Sequence, residues 1–205
     1  MTHSSDIRFF REVVQGRRAD ILDAALAVFS ERGYDAGSLR EIANRVGVSE
    51  PALYRHFASK EALFVAIIEG FAERLRGEAN ALLDSARAPV LRDQLMAVFA
   101  QRRTAMAVYG PVLRTVLAAT TYNPTFLGAY RANIVEPLCT RLTGTTERID
   151  GEFDISCTPT QTAARVRVLM ALFVGYFVTS IVLEDEADEA VAEAVMRIMG
   201  WSEAA

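Results

Sequence analysis

The chain of 205 residues is 51% hydrophobic and 23% charged, which allows a large buried core and excludes a disordered protein. Its 22 Lys and Arg residues are outnumbered by 26 Asp and Glu residues. The resulting net charge of −4 excludes a globally basic nucleic-acid coat but allows a local basic face. Two histidines and two cysteines are too few for a multi-histidine metal site or a disulfide framework, so we expect no metal and no cofactor.

The N-terminus, MTHSSDIRFFREVV, has no apolar run behind a basic start. We therefore expect no signal peptide and a cytoplasmic protein. Residues 19–32 then place apolar side chains at intervals of three and four, which predicts an amphipathic helix that stops at Gly33. No segment alternates polar and apolar residues over the length of a strand, so the predicted fold class is all-α.

Residues 38–57, SLREIANRVGVSEPALYRHF, predict two short helices joined by a tight turn. Ser38 and Glu41 have the spacing of a capping box, in which the serine oxygen accepts the Glu41 N–H and the glutamate reaches back. Gly47 can supply the positive φ of the turn, and Ser49 can cap the second helix. Apolar residues one turn apart would close the corner from inside. The segment has the pattern of a helix-turn-helix.

The outward face of the second helix suits a DNA groove. Ala52 can contact a thymine methyl group, and Arg55 can reach guanine or a phosphate. The next helix begins at Ser59 and Lys60, where free N–H groups and an ammonium group would favour a phosphate. The alternative is a plain helical corner with a solvated face. The capping box and the run Tyr54-Arg55-His56 favour DNA binding.

Residues 18–64 resemble the DNA-binding domain of the TetR family of bacterial transcriptional regulators. The similarity is carried by the following blocks: Ile21-Leu22-Asp23-Ala24-Ala25, Phe29, Gly33-Tyr34, Leu39-Arg40-Glu41-Ile42-Ala43, Val46-Gly47-Val48-Ser49, Leu53-Tyr54-Arg55-His56-Phe57 and Lys60-Glu61-Ala62-Leu63. The resemblance implies an N-terminal three-helix helix-turn-helix DNA-binding domain followed by a larger helical ligand-binding and dimerisation domain. The predicted boundaries are an N-terminal arm at 1–16, the DNA-binding domain at 17–64, and the effector-binding and dimerisation domain at 65–205.

The resemblance also implies which residues contact DNA. Arg40 would contact bases or phosphates from the first helix of the motif, and His56 and Lys60 would contact phosphates. Arg17 and Arg18 would reach flanking phosphates or the minor groove, or else be solvated residues at a helix start. The full set of predicted DNA contacts is Arg17, Arg18, Ser38, Arg40, Ser49, Glu50, Pro51, Ala52, Tyr54, Arg55, His56 and Lys60.

The C-terminal helices predict a homodimer. The helix that begins at Pro159 carries no charge over residues 168–183, a run shorter than the roughly 20 residues that span a bilayer. We therefore expect a buried helix and no membrane partner, with one side packed within the subunit and another against a second copy. The last helix has a stripe rich in small residues: Ala187, Ala190, Val191, Ala194, Val195 and Ile198.

The C-terminal part also offers candidates for a pocket that binds a largely apolar effector. Three of them lie on roughly one helical face and three add polar anchors: Phe173, Tyr176 and Ser180, then Tyr109, Arg114 and Tyr130. The alternative is that these six residues belong to the core or to the dimer interface.

These patterns, taken with what the resemblance implies, predict a ligand-responsive transcriptional repressor. It would bind a palindromic double-stranded DNA operator as a homodimer and be released by a small-molecule effector. One alternative is a small all-α ligand-binding protein or enzyme without DNA affinity, and another is a DNA-binding protein without an effector. No catalytic residues are predicted, because the sequence lacks a clustered acid pair and a phosphate-cradling glycine loop.

Overall fold

The structure is a computed structural model that describes residues 8–87, 90–183 and 188–201, with backbone only for residues 102, 103, 176–183 and 188. The described residues form helices and turns and no strand, which confirms the predicted all-α class. After a 3-10 turn at Phe10–Glu12, the helices are α1 (Gly16–Ala36), α2 (Leu39–Val46), α3 (Glu50–Tyr54), α4 (Lys60–Ser85), α5 (Leu91–Ala100), α6 (Arg102–Thr120), α7 (Pro124–Tyr130) with a π turn at Arg131–Val135, α8 (Glu136–Glu152), α9 (Pro159–Leu183) and α10 (Asp188–Met199).

The chain folds into two compact units, each built from two separate segments. The first unit is built from Met1–Gly77 together with Val108–Glu136, and the second from Glu78–Ala107 together with Pro137–Ala205. The segment Val108–Glu136, which holds most of α6 and all of α7, thus packs in the same unit as residues 17–64. Where the functional boundaries lie stays a prediction.

Aromatic rings hold the first unit together. Phe126 of α7 lies 4.7 Å from the ring centroid of Tyr34 and 4.5 Å from that of Phe64. Phe126 and Phe64 are both fully buried. Offset and edge-on ring pairs at these distances add to the apolar burial that stabilises a core. The pairing explains why α7 packs with helices far away in the sequence.

The segment predicted as an N-terminal arm contributes side chains to the same core. Phe9 and Phe10 are buried, and the Phe10 N–H donates to Asp23 Oδ1 at 3.0 Å. The Phe9 carbonyl accepts a 2.9 Å bond from Arg74 of α4. The described part of this segment is therefore packed onto α1 and α4.

Gly33 breaks the first helix without ending it. Its φ of 78° and ψ of 164° are non-helical, and the chain then continues as helix to Ala36. The predicted stop at Gly33 is thus confirmed as a break in the helix, and a further short helical segment follows it to Ala36. A residue with a Cβ would be strained in this conformation.

The second unit has its own core, formed by α5, α8, α9 and α10. A buried ion pair lies inside it, in which Arg165 of α9 donates to Asp150 of α8. The Trp201 Nε1–H donates to the same carboxylate at 2.8 Å. These charge-assisted bonds satisfy a carboxylate that is 4% exposed, which would otherwise be costly to bury.

The predicted stripe on the last helix is divided between two faces. Val195 is buried and Val191 is half-buried in the second core, while Ala190, Ala194 and Ile198 are exposed. Ala187 lies outside the described residues. No helix among the described residues has the length and apolar character that crossing a bilayer requires.

Candidate nucleic-acid interface

Local capping bonds build the helix-turn-helix as the sequence predicts. Ser38 Oγ accepts the Glu41 N–H at 3.2 Å, and Ser49 Oγ accepts the Ala52 N–H at 3.3 Å. Gly47 adopts φ 73° and ψ 39°, the left-handed conformation that turns the chain from α2 into α3. The hydroxyl oxygens of Ser38 and Ser49, both predicted DNA contacts, thus already serve as helix caps.

Buried apolar residues fix which face of α3 points outward. Leu53 is fully buried and Phe57 is 3% exposed, as is expected for residues one turn apart on the inner side. Tyr54 is 47% exposed. Of the other residues predicted to face DNA, Pro51, Arg55 and His56 are exposed, and Glu50 and Ala52 are half-buried. Arg40 of α2 is exposed as well.

Glu41 does not complete the capping box that the sequence predicts. Its carboxylate accepts from Arg32 Nε at 3.0 Å and from Arg45 at 3.3 Å instead of returning to the backbone of Ser38. A guanidinium group is a stronger partner for a carboxylate than a neutral backbone amide. That part of the prediction is wrong for this reason.

Arg45 also joins α2 to α1. Its guanidinium group donates to both carboxylate oxygens of Glu31, at 2.9 and 2.5 Å, and this contact lowers the pKa of Glu31. Sequence reasoning missed this pair. The spacing of Glu41 and Arg45 was a signal for one bond of the network, but the bond to Glu31 depends on how α1 and α2 cross.

The two arginines at the start of α1 have different surroundings. Arg17 is 55% exposed and lies 3.6 Å from Asp20 in an ion pair. Arg18 Nη1 donates to the backbone carbonyl of His56 at 3.0 Å. Its guanidinium carbon lies 4.2 Å from the centroid of the Phe57 ring. Arg18, although exposed, therefore contacts the turn that follows α3, the recognition helix of the motif.

Lys60 is engaged within the chain, whereas the sequence predicts an ammonium group open to a phosphate. Its Nζ donates to the Asp35 carbonyl at 2.9 Å and lies 4.5 Å from the Tyr34 ring centroid. Burial lowers the pKa of Lys60. At the same helix start, Ser59 Oγ accepts the Ala62 N–H at 3.0 Å. The Lys60 ammonium group and the Ala62 N–H are therefore already bonded within the protein.

Three of the predicted effector residues lie in the first unit. Tyr109 packs edge-on against Phe9, with ring centroids 5.6 Å apart. Arg114 is exposed. Tyr130 is half-buried, and this burial raises its pKa.

The other three lie in the second unit. Phe173 stacks against Phe99 of α5 with centroids 5.3 Å apart. The side chains of Tyr176 and Ser180 lie outside the described residues. The six candidates thus divide between the two units. Among the described side chains, no group of three His, Cys, Asp or Glu residues could hold a metal ion.

The capped helices α2 and α3, joined at Gly47 and followed by exposed Arg55 and His56, form a helix-turn-helix on an all-α chain. Comparison with known proteins shows which family this segment resembles. The model of the bacterial regulatory proteins of the tetR family matches residues 21–67. Over this N-terminal segment the chain is similar to TetR-family regulators.

Individual relatives match over the same N-terminal segment. The HTH-type transcriptional repressor KstR2 of Mycobacterium tuberculosis is 38% identical over 81 residues, which is 40% of each chain. The HTH-type transcriptional activator FasR of Mycolicibacterium smegmatis is 48% identical over 59 residues, 29% of this chain and 27% of FasR. The chain thus aligns with less than half the length of these curated relatives.

The fold similarity extends over most of the chain. The crystal structure of the reduced form of E. coli NemR superimposes with a TM-score of 0.72 at 19% identity, covering 92% of this chain and all of that one. At this identity the similarity concerns the fold. It supports the all-α arrangement beyond the helix-turn-helix.

Proposed function

We propose that the chain is a homodimeric transcriptional repressor that binds a palindromic operator and is released by a small-molecule effector. The observation that carries the proposal is the outward edge of α3, by which we mean Tyr54 at its end and Arg55 and His56 in the turn that follows. These three residues are exposed, whereas Leu53 and Phe57 are buried on the inner side. Acting on chromosomal DNA, the protein would work in the cytoplasm. The proposal assigns it no catalytic activity.

The predicted DNA-facing residues divide by the kind of DNA contact they can make. Arg55 can form the bidentate contact to guanine that is common in major grooves, and Ala52 can touch a thymine methyl group. Tyr54, His56 and Arg40 can donate to phosphates, and these contacts set the register of the helix on the duplex.

Arg17 would contact a flanking phosphate. Glu50 can accept from a cytosine amino group, and Pro51 packs beside it.

The homodimer is proposed through α9 and α10. Apolar side chains are exposed on both helices of the second unit: Val168 is 45% exposed, Val174 53% and Ile198 53%. Ala171 and Ala194 are exposed beside them and allow close helix approach. An interface of this kind would bury these side chains against a second copy. Two recognition helices related by a two-fold axis would then read a palindrome.

The second unit is also the part we propose for effector binding. Phe99 and Phe173 give it an aromatic, apolar interior. Thr145 Oγ1 is buried and has no hydrogen-bond partner in the part of the chain that the structure describes. Such a hydroxyl is a suitable anchor for one polar group of a largely apolar molecule. Binding would weaken the DNA complex if the effector prefers a different state of the dimer.

Tyr54→Ala tests the proposed DNA contact. Duplexes are first selected from a random-sequence library with the wild-type full chain, and the affinity of each variant for the selected duplex is then measured by fluorescence anisotropy. We expect Tyr54→Ala to weaken binding about tenfold, because it removes a phosphate donor and an aromatic contact from each recognition helix.

Tyr122→Ala is the matched control, because Tyr122 is 91% exposed and lies in the turn between α6 and α7, outside the helix-turn-helix. It should bind the selected duplex like the wild type. Equal affinities of all three proteins would contradict the assignment of α3 as the recognition helix. Failure of the wild-type chain to select any duplex would contradict DNA binding itself.

A further inference from the structure

We infer that Arg18 is a positioning residue for the recognition helix and not one of its phosphate contacts. The inference rests on the proposed DNA-binding function and deepens it. In sequence, Arg17 and Arg18 are equivalent candidates for flanking DNA contacts. In the structure, the Arg18 guanidinium group is directed at the backbone that leaves α3.

Helix α3 is too short to be stable without contacts to the rest of the chain. It spans Glu50–Tyr54, fewer residues than an isolated helix needs for stability. Its start is held by the Ser49 cap, and its buried anchor is Leu53. The outward residues Arg55 and His56 lie in the turn after the helix. The direction of their side chains therefore depends on the contacts that fix the backbone of this turn.

Arg18 fixes this turn through a hydrogen bond and a cation–π contact. The N–H groups of His56 and Phe57 donate back to the Leu53 carbonyl, at 2.9 and 3.1 Å. The His56 carbonyl faces the other way and accepts from Arg18 Nη1 at 3.0 Å. The same guanidinium group lies over the Phe57 ring at 4.2 Å. A charge-assisted bond and a cation–π contact from one side chain thus fix two consecutive residues.

The contacts of Arg18 affect how Arg55 and His56 are presented to DNA. Phe57 is 3% exposed and anchored in the core, so the Arg18 side chain connects the turn to a fixed surface. A turn held in this way presents Arg55 and His56 in one orientation before DNA arrives, and preorganised groups lose less entropy on binding. Loss of Arg18 should therefore reduce discrimination between sequences, which depends on exact orientation, more than it reduces the attraction of charge to DNA.

Arg17 provides the matched comparison. It lies one residue away, carries the same charge, is 55% exposed and pairs with Asp20 at 3.6 Å, and we propose it as a phosphate contact. Arg17→Gln and Arg18→Gln each remove one positive charge from the same turn of α1. A phosphate contact and a positioning residue differ in the salt dependence of DNA binding. Each phosphate contact releases counterions and contributes a slope of roughly 0.9 to log affinity against log salt, whereas a positioning residue contributes none.

The first measurement needs no DNA. Hydrogen–deuterium exchange of the full chain should show the amides of His56 and Phe57 exchanging about tenfold faster in Arg18→Gln than in the wild type, since one hydrogen bond to a charged donor is lost. Arg17→Gln should exchange like the wild type at these amides. Phe57→Leu keeps every charge but removes the ring, and it should reproduce the faster exchange at His56.

The second measurement uses the duplex that the wild-type chain selects and an unrelated duplex, at several salt concentrations. We expect Arg18→Gln to lose about tenfold in affinity for the selected duplex, to retain its affinity for the unrelated one, and to keep the wild-type salt slope. Arg17→Gln should lose affinity for both duplexes, with a slope lower by roughly 0.9 per contact removed.

Wild-type exchange at His56 and Phe57 in Arg18→Gln, or a reduced salt slope in that variant, would overturn the inference. If the wild-type chain selects no duplex, the proposed function fails, and the exchange experiment still decides whether Arg18 holds the turn. The two failures are therefore distinguishable.

Discussion

At the scale of single residues, the basic side chains of the helix-turn-helix differ in what their charges face. Arg40 and Arg55 are exposed and form no ion pair with the residues that the structure describes. Others are engaged within the chain by carboxylates, carbonyls or aromatic rings: Arg18, Arg32, Arg45 and Lys60. The charge available to DNA is thus smaller than the number of Arg and Lys residues indicates.

The sequence predicts the positions of these residues but not their partners. That Tyr54, Arg55 and His56 face outward follows from the one-turn spacing of Leu53 and Phe57, which is a local property. That Lys60 bonds to the Asp35 carbonyl depends on how α1 and α4 approach each other, and no local pattern records this approach. Local sequence patterns therefore predict which face of α3 points outward. They do not predict the partners of Arg18 and Lys60.

Asp23 gives a pH prediction at the same scale. Burial raises its pKa to about 6, although the N–H groups of Phe10 and Phe9 act in the opposite direction. The folded chain therefore keeps this proton to a higher pH than the unfolded chain, whose ordinary value is 3.8. Unfolding releases a proton between these two values, so the contribution of Asp23 to the free energy of unfolding falls as pH rises from about 4 to about 6 and is then constant.

Asp23→Asn isolates this effect, because the amide oxygen can still accept the Phe10 N–H while the titration is removed. Urea unfolding should be measured for both proteins from pH 4 to pH 7.5. We expect the wild type to lose stability relative to the variant across the lower part of this range. A difference between the two proteins that does not change with pH would contradict the raised pKa.

At the scale of elements, helices defined by local signals were predicted well and their long-range neighbours were not. The α2–turn–α3 corner follows from Ser38, Gly47 and Ser49, each of which acts within a few residues. The packing of Phe126 onto Phe64 joins helices far apart in sequence, and apolar periodicity does not specify which faces meet. For the same reason, the burial of Phe9 and Phe10 was not predicted.

Gly70 of α4 tests the attachment of the N-terminal segment. A Cβ at this position would lie 2.7 Å from Cδ1 of the buried Phe10 ring, so the ring would have to move. We expect Gly70→Ala to lower the free energy of unfolding by about 1–3 kcal/mol, the usual cost of overpacking. Urea denaturation measures this change.

Gly77→Ala is the control on the same helix, because a Cβ there meets no atom within 4 Å. It should raise stability by up to about 1 kcal/mol through helix propensity. Effects of the same sign at Gly70 and Gly77 would show that Phe10 does not pack closely on α4.

At the scale of the whole molecule, each unit has its own core, and the two proposed activities fall in different units. The first contains the helix-turn-helix, and the second contains the apolar interior proposed for the effector and the exposed faces of α9 and α10 proposed for the dimer. The sequence predicts a DNA-binding domain at 17–64 and an effector-binding and dimerisation domain at 65–205, and these boundaries stay a prediction. It does not predict that Val108–Glu136 packs with the first unit, since that depends on the ring of Phe126.

Hydroxyl-radical footprinting of the full chain on its selected duplex tests most directly whether the outward edge of α3 reads DNA as part of a two-fold dimer. At a protein concentration near the wild-type Kd, we expect two protected segments related by a two-fold axis, with centres about 34–36 Å apart or a multiple of that spacing, and loss of most of both protections in Tyr54→Ala at the same concentration. A single protected segment, or protection that persists undiminished in Tyr54→Ala, would contradict this expectation.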